Sequence, residues 1–500
     1  MPEPALLAAI DLGSNSFRLL IGKAGDHGSG ASLHPLDSVK RSVRLAAGLD
    51  SQRRLDAASR LRGLEALTVF SKRLQAFAPH AVRAVATNTL RVARNASDFL
   101  ADAQAVLGYP IEVISGHEEA RLIWVGASHA LRDGRKRLVV DIGGGSTECI
   151  LGESEQPLLL DSIGVGCVSA TLEHCTRNTL DERSFERARR QLQQSFAGVA
   201  RHARALGWQH AAGTSGTAKA LCQIARTAFG ARTLTRETLE LLRKELLAGS
   251  PENSPVFATL KPDRRAVISG GLLVMTAVFD EFGLESVDYC EAALRDGILI
   301  ELSSALAGND VREQTVAQLE RRYRVDSARG LRLANTSQAL FDQAARTVRE
   351  ERLGRRAMLG WAARLADAGR VVAEEDRHRH AAYILRHADM PGFNDAEQRT
   401  LSALALSQSG GLRKLRGLIR DELGWLSVLA LRLAVILERH SLGDRSPPPL
   451  PALFFRNGQA RIEIHSGWLT AHPEANRDLL DEAARWTEMQ LLARFELREL

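Results

Sequence analysis

Two carboxylates flank a run of three glycines in the segment VVDIGGGSTE, residues 139–148. Asp141 ends an apolar stretch that is typical of a buried strand, and Glu148 follows seven positions later. Glycine allows backbone N–H groups to approach a bound oxyanion, and carboxylate oxygens are ligands that Mg²⁺ prefers. The segment therefore predicts a loop that binds phosphate and magnesium together, although a simple hairpin turn would give a similar pattern.

A second copy of this pattern lies 130 positions earlier in the chain. The segment AIDLGSNSFRLLIG, residues 9–22, aligns without a gap with VVDIGGGSTECILG, residues 139–152, so that Asp11 matches Asp141. Both copies predict a strand, a glycine turn and a second strand, and two facing hairpins could hold a phosphate chain from both sides. The predicted phosphate-binding residues of the two turns are Gly13, Ser14, Asn15, Ser16, Gly143, Gly144, Gly145 and Ser146. The candidate metal ligands are Asp11, Asp141 and Glu148.

A candidate general base lies in the segment VISGHEEARLIWVGA, residues 113–127, which predicts an apolar helix. Ser115 and Glu118 have the spacing of a capping box, so Glu118 has a structural role. Glu119 points about 100° away around the helix and has no capping role, which makes it the candidate base. Two solvated glutamates that stabilise the helix dipole are the structural alternative.

Three arginines near these segments are candidate phosphate ligands, because guanidinium groups bind phosphate through paired hydrogen bonds. Arg91 and Arg94 are three positions apart in TNTLRVARN, residues 87–95, where they are predicted to share a helix. Arg18 lies in the strand predicted after the first glycine turn. Surface ion pairs are the alternative for Arg91 and Arg94.

The composition bounds the class of protein. The 500 residues exceed a usual single domain, and 45% hydrophobic with 25% charged residues is typical of a globular chain. The sequence has no secretory leader pattern and no apolar run long enough to span a membrane, which predicts a cytoplasmic location, with peripheral association at the inner membrane as an alternative. The 66 Lys and Arg residues exceed the 60 Asp and Glu residues too little to predict nucleic-acid binding, but they favour an anionic substrate.

Strand and helix patterns alternate up to about residue 303 and predict α/β construction, after which helical patterns alone continue to about residue 440. The segment RSPPPLP, residues 445–451, predicts a stiff linker. A short strand is expected at residues 460–466 and a closing helix from about Pro473.

One segment of the helical region is strongly basic. In GGLRKLRGLIR, residues 410–420, the side chains of Arg413, Arg416 and Arg420 fall on one stripe of a predicted helix. This stripe is a candidate track for a long polyanion, and a solvated helix face is the alternative.

Seven motifs resemble those of the exopolyphosphatase and guanosine pentaphosphate phosphohydrolase family, within the superfamily of actin and the sugar kinases. In chain order they are DLGSNS, TNTLRVARN, ISGHEEARLI, DIGGGSTE, GTSGTAKAL, ALRDGIL and RHRHAAYILRHADMPGF. The resemblance implies two actin-like (ribonuclease H-like) domains that close on a linear phosphoanhydride, with magnesium as the cofactor. It further implies that Glu119 is the catalytic carboxylate, that Asp141 and Glu148 serve the metal, and that the protein is a homodimer.

The helical region resembles the extension of this family, which is distantly similar to HD-type metal phosphohydrolases. The HRH triplet at residues 378–380 is its most visible remnant. The adjacent His-Asp pair of an HD site is replaced by His387-Ala388-Asp389, and Gln408 stands where a further histidine is expected. A second metal site is therefore not expected, and the histidines of the triplet are predicted to lie in a core or an interface.

The predicted architecture is α/β with four domains. They are two actin-like domains at residues 1–124 and 125–303, an all-helical HD-like domain at 304–445 and a small C-terminal domain at 446–500. The favoured function is hydrolysis of the terminal phosphate of inorganic polyphosphate, because a basic stripe and a large helical region suit a long substrate. Hydrolysis of guanosine pentaphosphate by the same chemistry is the alternative. A sugar or acid kinase of the same superfamily and a non-catalytic, nucleotide-dependent assembly protein are more distant alternatives.

Overall fold

The computed structural model divides the chain into two compact units, Met1–Asp310 and Val311–Leu500. The first unit contains two sheets with helices, and the second is largely helical with one small sheet near its end. The predicted α/β class with a following helical region is confirmed. The residues that the structure describes are 6–24, 33–78, 81–175, 179–306, 308–345, 349–441, 450–456, 458–492 and 494–499.

The first sheet of the first unit has five strands. They are β1 (Leu6–Leu12), β2 (Ser16–Ala24), β3 (Leu33–Ser42), β4 (Val82–Ala86) and β5 (Ile111–Val113), in the spatial order β3-β2-β1-β4-β5. Strands β1 to β3 are antiparallel neighbours, whereas β4 runs parallel to β1 and β5 parallel to β4. The associated helices are α1 (Ala57–Leu74), α2 (Asn88–Val92) and α3 (Ala96–Leu107). Phe17, Phe70 and Phe99 are fully buried in the core that these elements share.

The second sheet begins with the same antiparallel hairpin. Its strands are β6 (Lys136–Ile142), β7 (Thr147–Glu153), β8 (Gln156–Ile163), β9 (His210–Thr214), β10 (Leu234–Thr235) and β11 (Ser286–Tyr289), in the spatial order β10-β11-β9-β6-β7-β8. The associated helices are α5 (Cys167–His174), α6 (Glu182–Leu206), α7 (Ser215–Phe229), α8 (Arg236–Ala248), α9 (Pro262–Arg265) and α10 (Ile268–Phe282). Asp11 pairs with Arg18 in the first hairpin, and Asp141 pairs with Glu148 in the second, so the duplicated strand-turn-strand pattern is confirmed.

Two further helices, α4 (Gly116–Ala130) and α11 (Leu294–Leu306), pack in a core that also contains residues of both sheets. Their backbones touch where they cross. A Cβ atom on Gly126 would lie 2.3 Å from the carbonyl oxygen of Ala293, and one on Gly297 would lie 1.9 Å from the carbonyl oxygen of Leu122. Both distances are far below van der Waals contact, so this crossing requires glycine on each helix.

A buried group of charges lies beside this crossing. Arg121 of α4 binds the Glu118 carboxylate through two hydrogen bonds of 2.7 and 2.8 Å, and it also contacts Glu301 of α11. Arg83 of β4 lies 2.9 Å from Glu301 and 3.1 Å from Glu112 of β5. Because removing one partner of a buried ion pair leaves the other charge uncompensated, these groups tie α4 and α11 to the first sheet.

Before its small sheet, the described part of the second unit contains six α-helices. They are α12 (Val311–Arg322), α13 (Ser327–Ala344), α14 (Arg349–Arg364), α15 (Arg377–His387), α16 (Asp395–Ser407) and α17 (Glu422–His440). Helix α17 is apolar and buried along nearly its whole length, which places it at the centre of this core. Among the residues with assigned structure, no helix is long and apolar enough to cross a bilayer.

The C-terminal part of this unit contains a small sheet and two helices. They are β12 (Ala452–Arg456), β13 (Gln459–Ile464), α18 (Ser466–Ala471), α19 (Pro473–Glu488) and β14 (Arg494–Glu499). The predicted strand at 460–466 and the helix from Pro473 are therefore confirmed. A fully buried ion pair between Arg432 of α17 and Glu482 of α19 connects them to the helices. The predicted linker at 445–451 lies mostly outside the described residues.

The predicted basic helix at residues 410–420 is wrong. This segment contains a short 3-10 turn at Leu412–Leu415 followed by turns, and Gly410 and Gly417 have φ values of 75° and 81°. Arg413, Arg416 and Arg420 are exposed, but they do not form a helical stripe. Three apolar residues of this segment, Leu412, Leu415 and Ile419, are buried in the core, although the backbone that carries them is irregular.

The HRH triplet lies at the start of α15. His378 is 8% exposed, and its pKa is lowered to about 4, first by burial and then by the nearby Lys414 ammonium group. His380 is half-buried. Gln408 is buried, and its side-chain amide donates hydrogen bonds to the carbonyl oxygens of Ala366 and Ala405. These contacts give Gln408 a structural role at the end of α16.

Candidate active site

The turns of the two duplicated hairpins meet inside the first unit. A Cβ atom on Gly144 would lie 2.8 Å from the Cβ of Ser14, and one on Gly145 would lie 2.5 Å from Oδ1 of Asn88. A side chain at Gly144 would therefore press on the first turn and one at Gly145 on Asn88 of α2, which explains these two glycines of the second turn. The structure brings together the two loops that the sequence predicted to face each other.

A cleft of about 270 Å³ lies between these turns. Most of the residues predicted as site residues line it: Asp11, Gly13, Ser14, Asn15, Ser16, Arg18, Glu119, Asp141, Gly143, Gly144 and Ser146. Glu148 does not line the cleft but pairs with Asp141 across the second hairpin. Gly145 continues the turn beside Asn88.

Glu119 reaches the cleft from the first turn of α4. The Ser115 hydroxyl oxygen accepts a 3.1 Å hydrogen bond from the Glu118 backbone N–H, which fixes the start of this helix. Glu119 is 8% exposed, and its Oε2 lies 3.3 Å from Nη1 of Arg91. Its neighbour Glu118 turns away toward Arg121, so the two adjacent carboxylates have different surroundings, and the role of Glu119 as a base stays a prediction.

Burial makes the carboxylates of this region weaker acids than usual. It raises the pKa of Glu119 to about 7, with further increases from Asp11 and Asp141 and an opposing decrease from Arg91. Burial is also the main cause that raises the pKa of Asp11 to about 6 and that of Asp141 above its ordinary value. The pKa of Glu148 is raised well above normal, first by burial and then by Glu119 and Asp141. Burial thus favours the neutral form of each of these carboxyl groups over its ionised form.

Hydroxyl groups orient two of these carboxylates. Thr214 at the end of β9 donates a 2.7 Å hydrogen bond to Asp141, and Ser162 of β8 donates a 2.8 Å hydrogen bond to Glu148. Both acceptors are nearly inaccessible to solvent, with exposures of 4% and 1%. Such bonds fix the direction of the carboxylate oxygens before any ligand is present.

The family model of the Ppx/GppA phosphatase family matches residues 23–305, and the model of domain III of that family matches residues 311–483. The chain belongs to the Ppx/GppA phosphatase family. The family resemblance inferred from the seven motifs is therefore confirmed.

Solved structures that are similar to this chain include an exopolyphosphatase-like protein, a Ppx/GppA enzyme and an exopolyphosphatase. A crystal structure of an exopolyphosphatase-like protein is 26% identical, with a TM-score of 0.54, and the match covers 60% of this chain and 100% of that one. The Ppx/GppA enzyme of Aquifex aeolicus is 24% identical, with a TM-score of 0.51 and coverages of 59% and 99%. An exopolyphosphatase from Cytophaga hutchinsonii is 21% identical, with a TM-score of 0.55 and coverages of 60% and 98%. The similarity to the Aquifex aeolicus and Cytophaga hutchinsonii proteins supports the fold of this chain alone.

The cleft of this Ppx/GppA protein contains cations that sequence reasoning missed. Besides the predicted Arg18, the lining includes Lys40, Lys219, Arg264 and Arg295. Lys219 and Arg295 lie within the quoted motifs GTSGTAKAL and ALRDGIL, so the motifs contained a signal for them. Lys40 and Arg264 lie in stretches without a motif, and only the folding of the chain brings them to the cleft.

Two predicted arginines have different positions in the Ppx/GppA fold. Arg91 lies in α2, where its Nη1 donates a 2.8 Å hydrogen bond to the carbonyl oxygen of Ile114 in addition to its contact with Glu119. Helix α2 ends at Val92, so the prediction that Arg94 shares a helix with Arg91 is wrong. The backbone N–H of Arg94 bonds to the carbonyl oxygen of Arg53, and neither Arg91 nor Arg94 is among the residues that line the cleft.

The donor set fits a hard cation. Asp11 and Asp141 line the cleft, Glu148 pairs with Asp141 across the second hairpin, and burial is the main cause that raises the pKa of all three carboxyl groups. Within the described ranges, no three His, Cys, Asp or Glu side chains form a preassembled metal cage. A magnesium ion would suit this arrangement, because it retains waters and uses substrate phosphate oxygens as further ligands.

The side-chain amide of Asn15 indicates that the cleft binds a ligand. Its residue is 7% exposed, and neither the oxygen nor the nitrogen of its side-chain amide has a hydrogen-bond partner within the described protein. Leaving both ends of a buried amide unpaired is costly, so a bound group is expected to satisfy them. A phosphate oxygen can accept from the nitrogen, and a water molecule can donate to the oxygen.

Proposed function

We propose that this Ppx/GppA family protein is an exopolyphosphatase, which hydrolyses the terminal phosphate of linear inorganic polyphosphate and releases orthophosphate. The observation that carries the proposal is the lining of one cleft by Glu119 and by five cationic side chains. These cations are Arg18, Lys40, Lys219, Arg264 and Arg295. A carboxylate base beside this many cations suits a substrate that carries charge on several successive phosphates.

In the proposed reaction, Glu119 accepts a proton from a water molecule. A pKa of about 7 leaves much of this carboxylate ionised near neutral pH and still basic enough to accept the proton. The water oxygen bonds to the terminal phosphorus, the bond from that phosphorus to the bridging oxygen breaks, and the shortened chain leaves with the electron pair. Backbone N–H groups of the two glycine turns and the Asn15 amide hold the phosphates in line for this displacement.

Magnesium is proposed as the cofactor, held by Asp11, Asp141 and Glu148, where it would neutralise charge on the transferred phosphoryl group. Neighbouring side chains orient the carboxylates of the site independently of the metal. Thr214 holds Asp141, Ser162 holds Glu148, and Arg91 holds Glu119. These three carboxylates are thereby oriented by neighbours, which reduces the reorganisation needed during reaction.

Guanosine pentaphosphate hydrolysis remains the second candidate, because it requires the same base and phosphate contacts. The helical stripe of Arg413, Arg416 and Arg420 no longer supports a long substrate, since these residues do not share a helix. We therefore prefer polyphosphate over guanosine pentaphosphate because of the number of cationic side chains that line the cleft. A homodimer and a cytoplasmic location also stay predictions.

The deciding experiment compares substrates with one purified protein. Orthophosphate release is measured with magnesium and polyphosphate, guanosine pentaphosphate, or ATP with candidate sugar and acid acceptors. The Glu119→Gln variant serves as the control for contaminating phosphatases. The proposal expects the highest kcat/KM with polyphosphate. A higher value with guanosine pentaphosphate would reverse the order of the two candidates, and phosphorylation of an acceptor would favour a kinase.

A further inference from the structure

Lys40 lines the cleft, but its ammonium group already has an anionic partner. Its Nζ donates a 3.0 Å hydrogen bond to Oδ2 of Asp263, a residue 223 positions later in the chain. Lys40 lies in β3 of the first sheet, and Asp263 lies in α9, one of the helices associated with the second sheet. The ion pair therefore joins elements of the two sheets beside the cleft.

Helix α9 brings charges of both signs to this place. Arg264, which follows Asp263, lines the cleft, and a Cβ atom on Gly216 would lie 2.2 Å from its Nη2. The guanidinium group therefore packs directly on the backbone of Gly216 at the start of α7, where a larger residue would displace it. Asp263 is not among the residues that line the cleft, and its carboxylate binds Lys40 instead.

The ion pair between Lys40 and Asp263 is exposed enough to exchange partners. The two side chains have relative exposures of 38% and 20%, and ion pairs of this kind contribute little to stability, because water screens the charges. Burial lowers the pKa of Lys40, and the positive charges of Arg264 and Arg18 lower it further, whereas Asp263 opposes this decrease. Lys40 therefore lies among positive charges, which attract a phosphate chain more strongly than they attract one carboxylate.

We infer that Asp263 competes with the substrate for Lys40, so that a phosphate group binds Lys40 by displacing this carboxylate. The inference rests on the proposed function, since it concerns how the cleft of an exopolyphosphatase holds its phosphate chain. The fold keeps the carboxylate at a high local concentration beside the ammonium group. A chain that already contacts other cations of the cleft presents its next phosphate at a high local concentration too, and can therefore replace Asp263. Asp263 thereby limits how tightly the cleft holds the chain.

The inference is tested by calorimetric titration with polyphosphate of defined chain length in EDTA, which withholds the proposed cofactor. Asp263→Asn removes the competing charge and keeps the shape of the side chain. The matched control is Asp37→Asn, because Asp37 lies in β3 like Lys40, forms a 2.6 Å ion pair with Arg73 and is not among the residues that line the cleft. Lys40→Gln and the double variant Lys40→Gln/Asp263→Asn complete a double-mutant cycle.

Asp263→Asn is expected to lower the dissociation constant of polyphosphate at least about threefold, because the substitution frees Lys40 and removes a charge of the same sign as the ligand. Asp37→Asn changes the net charge equally and should stay near the parental value. Lys40→Gln should bind polyphosphate more weakly than the parent, and the gain from Asp263→Asn should be largely lost in this background.

Parental or weaker binding by Asp263→Asn would overturn the inference, since the carboxylate would then align Lys40 rather than compete for it. An equal gain with and without Lys40 would also overturn it, because such a gain would identify a general effect of charge. Polyphosphate that binds but is not hydrolysed when magnesium is added would refute the proposed function alone, and the dissociation constants would still decide the role of Asp263.

Discussion

Nη1 of Arg91 lies 3.3 Å from Oε2 of Glu119 and 2.8 Å from the carbonyl oxygen of Ile114. The backbone carbonyl holds the guanidinium group in place, and the guanidinium group favours the ionised form of the glutamate. Burial has the opposite and larger effect, so the pKa of Glu119 is raised to about 7. The contact with Arg91 therefore helps to set the pH at which the proposed base becomes available.

Replacement of Arg91 by Gln is expected to move the rising limb of the pH profile of kcat/KM to higher pH. The base must be ionised to accept a proton, and loss of the positive charge raises the pKa of Glu119 further. Arg91→Lys keeps the charge and should leave the limb near its parental position. Profiles of all three proteins between roughly pH 5.5 and 9 test this, and an unshifted limb in Arg91→Gln would show that the pair does not tune the base.

Glu119→Gln is expected to lower kcat by about 100-fold or more while polyphosphate still binds, because the amide keeps the shape of the side chain but cannot accept the proton. The neighbouring Glu118→Gln is the matched control. It weakens the ion pair with Arg121, so it should lower Tm with a much smaller effect on kcat. Near-parental turnover in Glu119→Gln would remove this residue from the mechanism.

Glu119→Gln should also stabilise the metal-free protein at alkaline pH. The pKa of Glu119 is raised from 4.5 to about 7 in the folded protein, so the folded state binds the proton more tightly than the unfolded state. The free energy of unfolding therefore falls as the pH rises from 4.5 to about 7, and ionisation of Glu119 lowers it little further at higher pH. Thermal melts should show a Tm gain of a few degrees for Glu119→Gln at about pH 8 and a smaller gain at about pH 5. An equal gain at both would indicate a cause other than ionisation.

Asp141→Asn and Glu148→Gln are each expected to raise the magnesium concentration that gives half the maximal rate. Each removes one formal charge from the group of carboxylates, and hard cations bind through such charges. The shift should be several-fold and should be accompanied by weaker direct binding of Mn²⁺. Glu153→Gln is a suitable control, since Glu153 is exposed at the far end of β7 and does not line the cleft. Unchanged magnesium dependence in both site variants would reject the metal assignment.

The arginines of residues 410–420 can be tested despite their irregular backbone. If Arg413, Arg416 and Arg420 contact a polyanion, changing all three to Gln should cause early release of long polyphosphate and leave short chains nearly unaffected. The control changes three other arginines of the second unit that are also exposed, Arg321, Arg322 and Arg324. Product ladders on gels distinguish the two variants. Equal behaviour of both would mean that the basic segment is only a solvated surface.

Much of the candidate site could be predicted because its residues lie in short segments. Asp141, the glycine turn and Glu148 belong to one hairpin, and hairpin geometry follows directly from local sequence. Glu119 was predictable because the capping residue Ser115 fixes the start of its helix. Lys40 and Arg264 could not be predicted, because a cleft formed by chain segments more than 200 positions apart leaves no local pattern.

The wrong basic helix has a physical explanation. Leu412, Leu415 and Ile419 are spaced like one face of a helix, and all three are buried although the backbone between them is irregular. The positive φ of Gly417 interrupts the helix between the second and the third. Apolar spacing determines which side chains enter a core, whereas the backbone path between them also depends on the glycines.

The crossing of Gly126 and Gly297 sets how closely α4 and α11 approach, because a side chain at either position would meet the backbone at the crossing. Glu119 lies seven residues from Gly126, about 10 Å along the axis of α4 at the helical rise per residue. A larger residue at either glycine would have to shift α4, and with it the proposed base, and errors of about 1 Å in positioning can cost a reaction about 100-fold. The two glycines therefore contribute to the placement of Glu119 although they lie away from the phosphate turns.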